Sequence, residues 1–220
     1  MKNIKKYAGF ILLCLTLTSC MSTNKHLKKN AEISLKADTA LVLLTMQEIF
    51  VFKPGKASVV LRSDEGQVVL DSLARFSGPQ DMDRKHRGGA TSYVAMEVPA
   101  GEYSLSRWFF KFRLGHSYEK PKTKSLKFDG GNIYYLGHFT ANNFSEAGQL
   151  EAKFEDDKGY FLEKYPSLKS QEIVNVSKDW ALSCWPTNQT LKYHKLDLVG
   201  KLDETEKKFY AKDLNRCFPK

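Results

Sequence analysis

The 220-residue chain is poor in cysteine, with four in all, and after position 20 it has no apolar run near the length of a membrane-spanning helix, about 20 residues. It also lacks the G-x-S-x-G, H-E-x-x-H, P-loop and G-x-G-x-x-G patterns, which are local signatures of common hydrolases and nucleotide-binding proteins. Its five histidines are never paired at i, i+4 or backed by nearby cysteines. We therefore predict no catalytic residues, no metal and no cofactor.

What the sequence does contain is the composition of a folded domain. Hydrophobic residues make up 42% and charged residues 27%, and 14 Phe, 10 Tyr and 3 Trp argue against disorder. The formal net charge of +9 falls to +6 without Lys2, Lys5 and Lys6, and the remaining basic residues are scattered among 25 acidic ones. This balance predicts modest attraction to anionic surfaces.

The N-terminus carries a targeting signal. A basic start is followed by an apolar run from Phe10 to Leu17, which predicts a secretory signal peptide over residues 1–19. The motif Leu17-Thr18-Ser19-Cys20 resembles the lipobox of bacterial lipoproteins, and the resemblance implies that Cys20 is acylated and begins the mature chain. In the bacterial lipoproteins that this motif resembles, an aspartate after the acylated cysteine tends to retain the protein in the inner membrane. Position 21 is Met, so the resemblance implies an outer-membrane anchor on the periplasmic face, with display at the cell surface as the alternative. The competing interpretation is a secretory peptide with an accidental cysteine.

The next segments predict a linker and then a sheet domain. Residues 20–38 are polar and basic, as in a flexible linker. Residues 39–155 alternate β-branched and aromatic segments with turns, which predicts seven or eight antiparallel strands. Hairpin turns are expected at 63–66 and 129–132. A change of phase near Arg107 predicts either a β-bulge or a strand that is buried on both faces.

Two short motifs carry a family resemblance. Val98-Pro99-Ala100-Gly101-Glu102-Tyr103 and Ile133-Tyr134-Tyr135-Leu136-Gly137 resemble strands of bacterial lipoproteins that have a transthyretin-like or carboxypeptidase-regulatory-like domain. The resemblance implies a mainly β chain with an antiparallel Ig-like or transthyretin-like β-sandwich. It also implies a binding or structural module without catalytic residues.

Residues 156–220 predict a C-terminal α-helical and irregular extension. Asp156-Asp157 begins a helix that continues through Lys164, and residues 170–181 show apolar residues at helical spacing. Because the sheet segments near residue 135 are apolar on both faces, we expect these helices to pack on one sheet.

Cys184 and Cys217 are the cysteines that remain after Cys14 leaves with the signal peptide and Cys20 takes lipid. In an oxidising compartment such an even pair predicts a disulfide bond. The alternative is two buried free thiols.

The most function-like loop contains Arg84, Lys85, His86 and Arg87 beside two glycines. This cluster is a candidate site for an anionic group or a partner protein. The alternative is a solvated loop with internal charge pairs. His116 and His138 could meet across strands, where the choice lies between a metal or catalytic role and ordinary edge histidines.

Together these features predict a non-catalytic, lipid-anchored cell-envelope module that binds a protein or glycan partner. The alternatives are an envelope hydrolase whose site is assembled from residues remote in sequence, and a carrier of a metal or small ligand. The expected partners are the membrane, through the N-terminal lipid, and an envelope protein or glycan, with no nucleic acid.

Overall fold

The computed structural model describes residues 26–49, 55–72, 82–83, 89–111, 117, 121–143, 145–190, 213 and 215–218. Within them the protein is mainly β, which confirms the predicted class. The strands are β1 Thr39–Ile49, β2 Ala57–Ser63, β3 Gly66–Asp71, β4 Met82–Asp83, β5 Gly89–Pro99, β6 Gly101–Phe110, β7 Leu126–Phe128, β8 Ile133–Asn142, β9 Ala147–Glu151, β10 Ile173–Asn175 and β11 Leu182–Pro186. One α-helix, α1, spans Phe154–Lys164, and 3-10 helices span Pro166–Ser170 and Ser177–Asp179.

The strands form two sheets. The larger has the order β11-β9-β8-β1-β5-β4, with β10 also paired to β8, and the smaller has the order β3-β2-β6-β7. β1 and β10 both run parallel to β8, so the prediction of purely antiparallel pairing is wrong. Between β1 and β8 the chain forms β2 and β3 of the smaller sheet, β4 and β5 of the larger sheet, and β6 and β7 of the smaller sheet. It then enters β8 from the same end as β1. There, the amide of Gly131 donates to the carbonyl oxygen of Thr39 over 2.9 Å.

Two local predictions in the smaller sheet are confirmed. β2 and β3 form the expected hairpin, whose last pair is Ser63 opposite Gly66. In the pairing of β2 with β6, Val60 lies opposite Arg107 and Leu61 opposite Leu105, so Ser106 is an extra residue. Of the two alternatives that the change of phase left open, the structure therefore shows the β-bulge.

The hairpin predicted at residues 129–132 is not present. β7 pairs with β6 in the smaller sheet, whereas β8 lies in the larger sheet, so this turn carries the chain from one sheet to the other. The turn packs closely against the segment that precedes β1. A β-carbon on Gly130 would overlap the carbonyl oxygen of Ala37 in that segment. Glycine chemistry specified a tight turn but not the partners of the flanking strands.

One hydrophobic cluster includes inward-facing side chains from both sheets. Its largest members are aromatic: Tyr103, Trp108, Phe110, Phe128, Tyr134, Phe139, Trp180 and Trp185. A second cluster, which we call the outer cluster, lies on the outer face of the larger sheet, beneath α1. It contains Leu41, Leu43, Tyr93, Ala95, Ile133, Tyr135, Phe161, Tyr165 and Leu168. The expected packing of a C-terminal helix on one sheet is thus seen for α1.

The second predicted helix, at residues 170–181, is wrong. Its centre forms β10, which pairs with the first half of β8. This pairing supplies hydrogen-bond partners to the edge of β8 that β1 does not use. Ile173 packs on the outer cluster while Val174 is exposed, so a two-residue alternation was mistaken for helical spacing.

Residues 26–38 lie against the body, although the sequence predicts a flexible linker there. The amide of Leu27 donates to the carbonyl oxygen of Ala95 over 2.9 Å, and the amide of Asn30 donates to that of Lys164 over 3.0 Å. Leu27, Ile33 and Leu35 pack on the outer cluster. Backbone hydrogen bonds and three spaced apolar side chains therefore dock a segment that is otherwise polar. No helix within the described ranges is long and apolar enough to cross a membrane.

Candidate functional site

A β-bulge in β8 sets the geometry of the candidate site. Leu43 of β1 lies opposite Tyr135 and Leu44 lies opposite Gly137, so Leu136 is an extra residue in β8. In a regular strand, residues three positions apart face opposite sides of the sheet. The bulge removes that alternation, so Tyr135 and His138 both face outward, towards α1.

Gly137 makes this bulge sterically feasible. Its φ of 140° lies in the region that favours glycine. A β-carbon at this position would lie 2.9 Å from Cδ1 of Leu150 and 3.0 Å from the carbonyl oxygen of Glu151 in the neighbouring strand β9. Any side chain at position 137 would therefore disturb the pairing of β8 with β9.

The first turn of α1 places a carboxylate over these two side chains. Asp157, which is 4% exposed, accepts a hydrogen bond from the hydroxyl of Tyr135 at 2.5 Å. Nδ1 of His138 lies 3.0 Å and 3.1 Å from the two carboxylate oxygens of Asp157. We call these three residues the His138 cluster, which joins the outer face of the larger sheet to α1.

The electrostatics of the His138 cluster follow from burial. Burial, the hydrogen bond to Asp157 and the charge of Asp157 all raise the pKa of Tyr135, so the phenol stays protonated at neutral pH and donates its proton. Because a carboxylate only accepts, Nδ1 of His138 carries a proton where it meets Asp157. Nε2 of His138 is buried and has no hydrogen-bond partner among the described residues.

A histidine held at Nδ1 by a carboxylate has its Nε2 atom oriented as a general base, as in hydrolytic triads. Here, however, the histidine is 9% exposed and α1 covers the face on which it lies. No hydroxyl or thiol of the described residues is hydrogen-bonded to Nε2. Within the same ranges, no three His, Cys, Asp or Glu side chains gather to hold a metal ion. The contacts of this cluster therefore fit the attachment of a helix to a sheet.

A second polar region surrounds the start of the described chain. His26 forms an isolated bridge with Met96 at the edge of β5, and Lys28 and Lys29 follow it with exposed side chains. Burial lowers the pKa of His26; the charge of Asp71 raises it and the charges of Lys111, Lys56 and Lys164 lower it further. Asp71 is itself bound by Lys111, with 2.5 Å between the carboxylate oxygen and Nζ. His26 therefore lies among lysines.

A third polar group holds the C-terminal tail. The cysteines Cys184 and Cys217, predicted to pair, lie at disulfide distance with their Cα atoms 5.1 Å apart. Close by in sequence, the carboxylate of Asp213 accepts hydrogen bonds from Asn142 at 2.7 Å and from Ser145 at 2.5 Å. These contacts attach the tail to the end of β8.

Several predicted site residues lie outside the described residues. They are the signal peptide 1–19, the lipidation site Cys20, the basic residues Arg84, Lys85, His86 and Arg87, and His116. The strands that flank the basic loop are described: Met82 pairs with Ser92 and Asp83 with Thr91. The loop thus joins two paired strands at one edge of the larger sheet.

The sequence pointed to His138 but not to its contact with Asp157, which was expected only as part of a helix start. The possible meeting of His138 with His116 lies outside the described residues, whereas the interpretation of His138 as an ordinary edge histidine is wrong, because its side chain is buried. One signal was available: a histidine lies within an apolar strand, and an acidic pair opens the helix expected to cover that strand. A buried histidine needs a polar partner, and the covering helix was the nearest source of one.

The comparisons with known proteins add little to this geometry. No family model and no curated protein matches the chain significantly. One solved structure with partial similarity is a leucine-rich repeat protein from Bacteroides thetaiotaomicron VPI-5482, at 12% identity and a TM-score of 0.27. The match covers 58% of this chain and 16% of the leucine-rich repeat protein, so it spans only a small part of that protein's length. A TM-score this low carries no argument about fold or function.

Proposed function

We propose that the chain is a non-catalytic, lipid-anchored module of the cell envelope that binds a protein or glycan partner. The observation that carries the proposal is the position at which the chain joins the body: Leu27 is already hydrogen-bonded to β5, seven positions after Cys20. An extended chain spans at most about 3.5 Å per residue, so the body lies within roughly 25 Å of an acylated Cys20. Such a module works at the bilayer surface.

The proposed architecture is a β-sandwich of the transthyretin-like kind. The hydrophobic cluster that includes side chains of both sheets supports it, since a sandwich buries the inner faces of two sheets against each other. Parallel pairing of β1 with β8 departs from the purely antiparallel pattern implied by the resemblance. The non-catalytic assignment is supported by the cover that α1 places over the His138 cluster.

The proposed partner-binding region is the loop that contains Arg84 and Arg87, between β4 and β5. A loop at the edge of a sheet can present several cations at once and can extend the sheet edge towards a partner strand. Carboxylate or phosphate groups on an envelope protein or glycan are the chemistry that such cations recognise.

The anchor is tested by the Cys20→Ser variant. We expect this variant to lose palmitate labelling and to leave the membrane fraction. A Cys184→Ser variant should keep both properties, because that cysteine is far from the lipobox in sequence. Retention of palmitate and of membrane partitioning by the Cys20→Ser protein would contradict the anchor.

The partner region is tested by crosslinking in intact cells followed by mass spectrometry. The double variant Arg84→Glu/Arg87→Glu should lose one or more crosslinked partners. A matched double variant, Lys122→Glu/Lys127→Glu, reverses two exposed cations before and within β7 and should keep them. An unchanged set of partners in the arginine variant would disprove the assignment of the loop.

A further inference from the structure

We propose that the surface around residues 26–30, where the chain joins the body, is a docking surface for anionic phospholipid headgroups. We define this anchor-side surface by five lysines: Lys28, Lys29, Lys56, Lys111 and Lys169. The proposal rests on the function proposed above, in which Cys20 is acylated, and it adds which side of the body faces the bilayer.

The path of the chain places this surface next to the anchor. His26 pairs with Met96 at the edge of β5, and the amide of Asn30 donates to the last residue of α1, Lys164. Next, the carbonyl oxygen of Ala31 accepts a hydrogen bond of 3.1 Å from the hydroxyl of Ser167. Because Cys20 lies six positions before His26, the point of attachment is at most about 20 Å from the lipid. The side of the body that carries these contacts therefore faces the membrane.

The side chains on this path are positively charged and accessible. Lys28 and Lys29 are exposed between the contact with β5 and the contact with α1. Lys169 is exposed two positions after the serine that binds the segment. Lys111 is exposed and Lys56 is half-buried, and the amide of Lys111 donates to the carbonyl oxygen of Lys56 over 3.0 Å. The charges of both lysines act on His26.

Acidic groups on the same side reduce the charge without reversing it. Asp71 is already bound to Lys111, and Glu32 and Glu163 are exposed beside Ala31 and Lys164. Glu97 follows the bridge residue Met96 in β5, so the five lysines outnumber four carboxylates. Lysines near an anionic bilayer each attract it by about 1 kcal/mol, so such a surface cannot replace an acyl anchor but can orient an anchored body.

The surface is tested apart from the anchor with the soluble Cys20→Ser protein, by co-sedimentation with vesicles. We expect binding to vesicles of equal parts phosphatidylglycerol and phosphatidylcholine, and little binding to phosphatidylcholine alone. Binding should weaken as the salt rises from about 20 mM to about 300 mM, because salt screens exposed charges. Absence of binding to the anionic vesicles at the lower salt would overturn the proposal.

Charge reversal locates the surface. At about 100 mM salt, where the screening length is about 10 Å, Lys28→Glu/Lys29→Glu should lower the partition coefficient about tenfold or more. The matched variant Lys124→Glu/Lys178→Glu reverses two exposed lysines near β10, across β8, β1 and β5. At about 4.8 Å per strand, β10 lies about 19 Å from His26 and Leu27 at the edge of β5, where Lys28 and Lys29 follow, so the effect of this pair should stay below about twofold. An equal loss in both variants would overturn the proposal.

Folding and anchoring are read separately. Lys169→Glu, outside the N-terminal segment, should also lower the partition coefficient, as the first pair does. An unchanged value would count against the surface.

Near-ultraviolet circular dichroism reports folding and should be the same for all variants, because the substituted side chains are exposed. Palmitate labelling of the chain with Cys20 intact reports the anchor alone. Labelling without vesicle binding would overturn only the surface, and vesicle binding without labelling only the anchor.

Discussion

Nδ1 of His138 lies 3.0 Å from one carboxylate oxygen of Asp157 and 3.1 Å from the other, across a gap of 19 positions in sequence. The same carboxylate accepts a hydrogen bond from the hydroxyl of Tyr135. All three side chains are buried, or nearly so, between α1 and β8, where water cannot replace a lost hydrogen bond. Attachment of α1 to the sheet is therefore specified by polar contacts as well as by the apolar cluster around Phe161.

The first prediction concerns this carboxylate. Asp157→Ala leaves a buried phenol and a buried imidazole without their acceptor, and should lower the free energy of unfolding by about 3 kcal/mol. Asp156→Ala, one position earlier and exposed, should lower it by less than about 1 kcal/mol. Urea unfolding followed by circular dichroism measures both values. Similar values for the two variants would mean that the His138 cluster does not hold the helix.

The second prediction concerns the bulge that brings Tyr135 and His138 onto one face. Gly137→Ala combines a positive φ with overlap of Leu150 and Glu151, and should destabilise the fold by about 2 kcal/mol or more. Gly159→Ala is the matched control, since it lies inside α1 with nothing within 4 Å of its added β-carbon. There the same change should stabilise by about 0.5 to 1 kcal/mol. Thermal melting of the two variants should show shifts of opposite sign.

The contrast between two turns shows how much of the fold the sequence could predict. The hairpin at Ser63 to Gly66 was predictable because turn chemistry and the pairing of its flanking strands are both local. At Gly130 and Gly131 the turn was equally recognisable from the sequence. The strand before it, β7, pairs with β6, however, and the strand after it, β8, pairs with β1. Those partners are distant in sequence, and no local pattern distinguishes a hairpin from a passage between sheets.

The candidate site was predictable only in part, for the same reason. Cys184 and Cys217 could be paired from the sequence, because the inferred compartment left them no other partner and the remaining cysteines were assigned elsewhere. The contact of His138 with Asp157 depends on a bulge at Leu136 and on the helix that lies over it. Both features follow from packing in three dimensions. The sequence could therefore identify His138 and Asp157 as polar residues of a strand and a helix, but it could not predict that they are in contact.

The third prediction concerns the C-terminal tail. Cys184 and Cys217 close a loop of 33 positions, and in the chain-entropy model a bridge of this size stabilises by about 3 to 4 kcal/mol. Cys217→Ser should therefore lower the free energy of unfolding by about that amount, and reductant should lower it equally in the unaltered protein. Reductant should have no effect on the variant. Quantitative maleimide labelling of both cysteines in unreduced, unfolded protein would disprove the bridge.

The fourth prediction concerns the pH dependence that His26 gives to the docked N-terminal segment. Burial is the main cause of its lowered pKa; Asp71 raises the value, and Lys111, Lys56 and Lys164 lower it further. The unfolded chain, with an ordinary pKa of about 6.5, therefore binds the proton more strongly than the folded protein. Stability supplied by neutral His26 is fully present above that pH and is lost as the pH falls below it.

The free energy of unfolding, measured in urea from about pH 8 to about pH 5, should thus fall more steeply in the unaltered protein than in His26→Gln. Glutamine keeps a polar side chain of similar reach but does not titrate in this range, so the difference in slope isolates His26. Lys28→Gln, an exposed neighbour in the same segment, should retain the slope of the unaltered protein. Identical slopes for His26→Gln and the unaltered protein would show that His26 is as free to take a proton in the folded protein as in the unfolded chain. Burial against β5 would then not be the cause of any acid sensitivity of this segment.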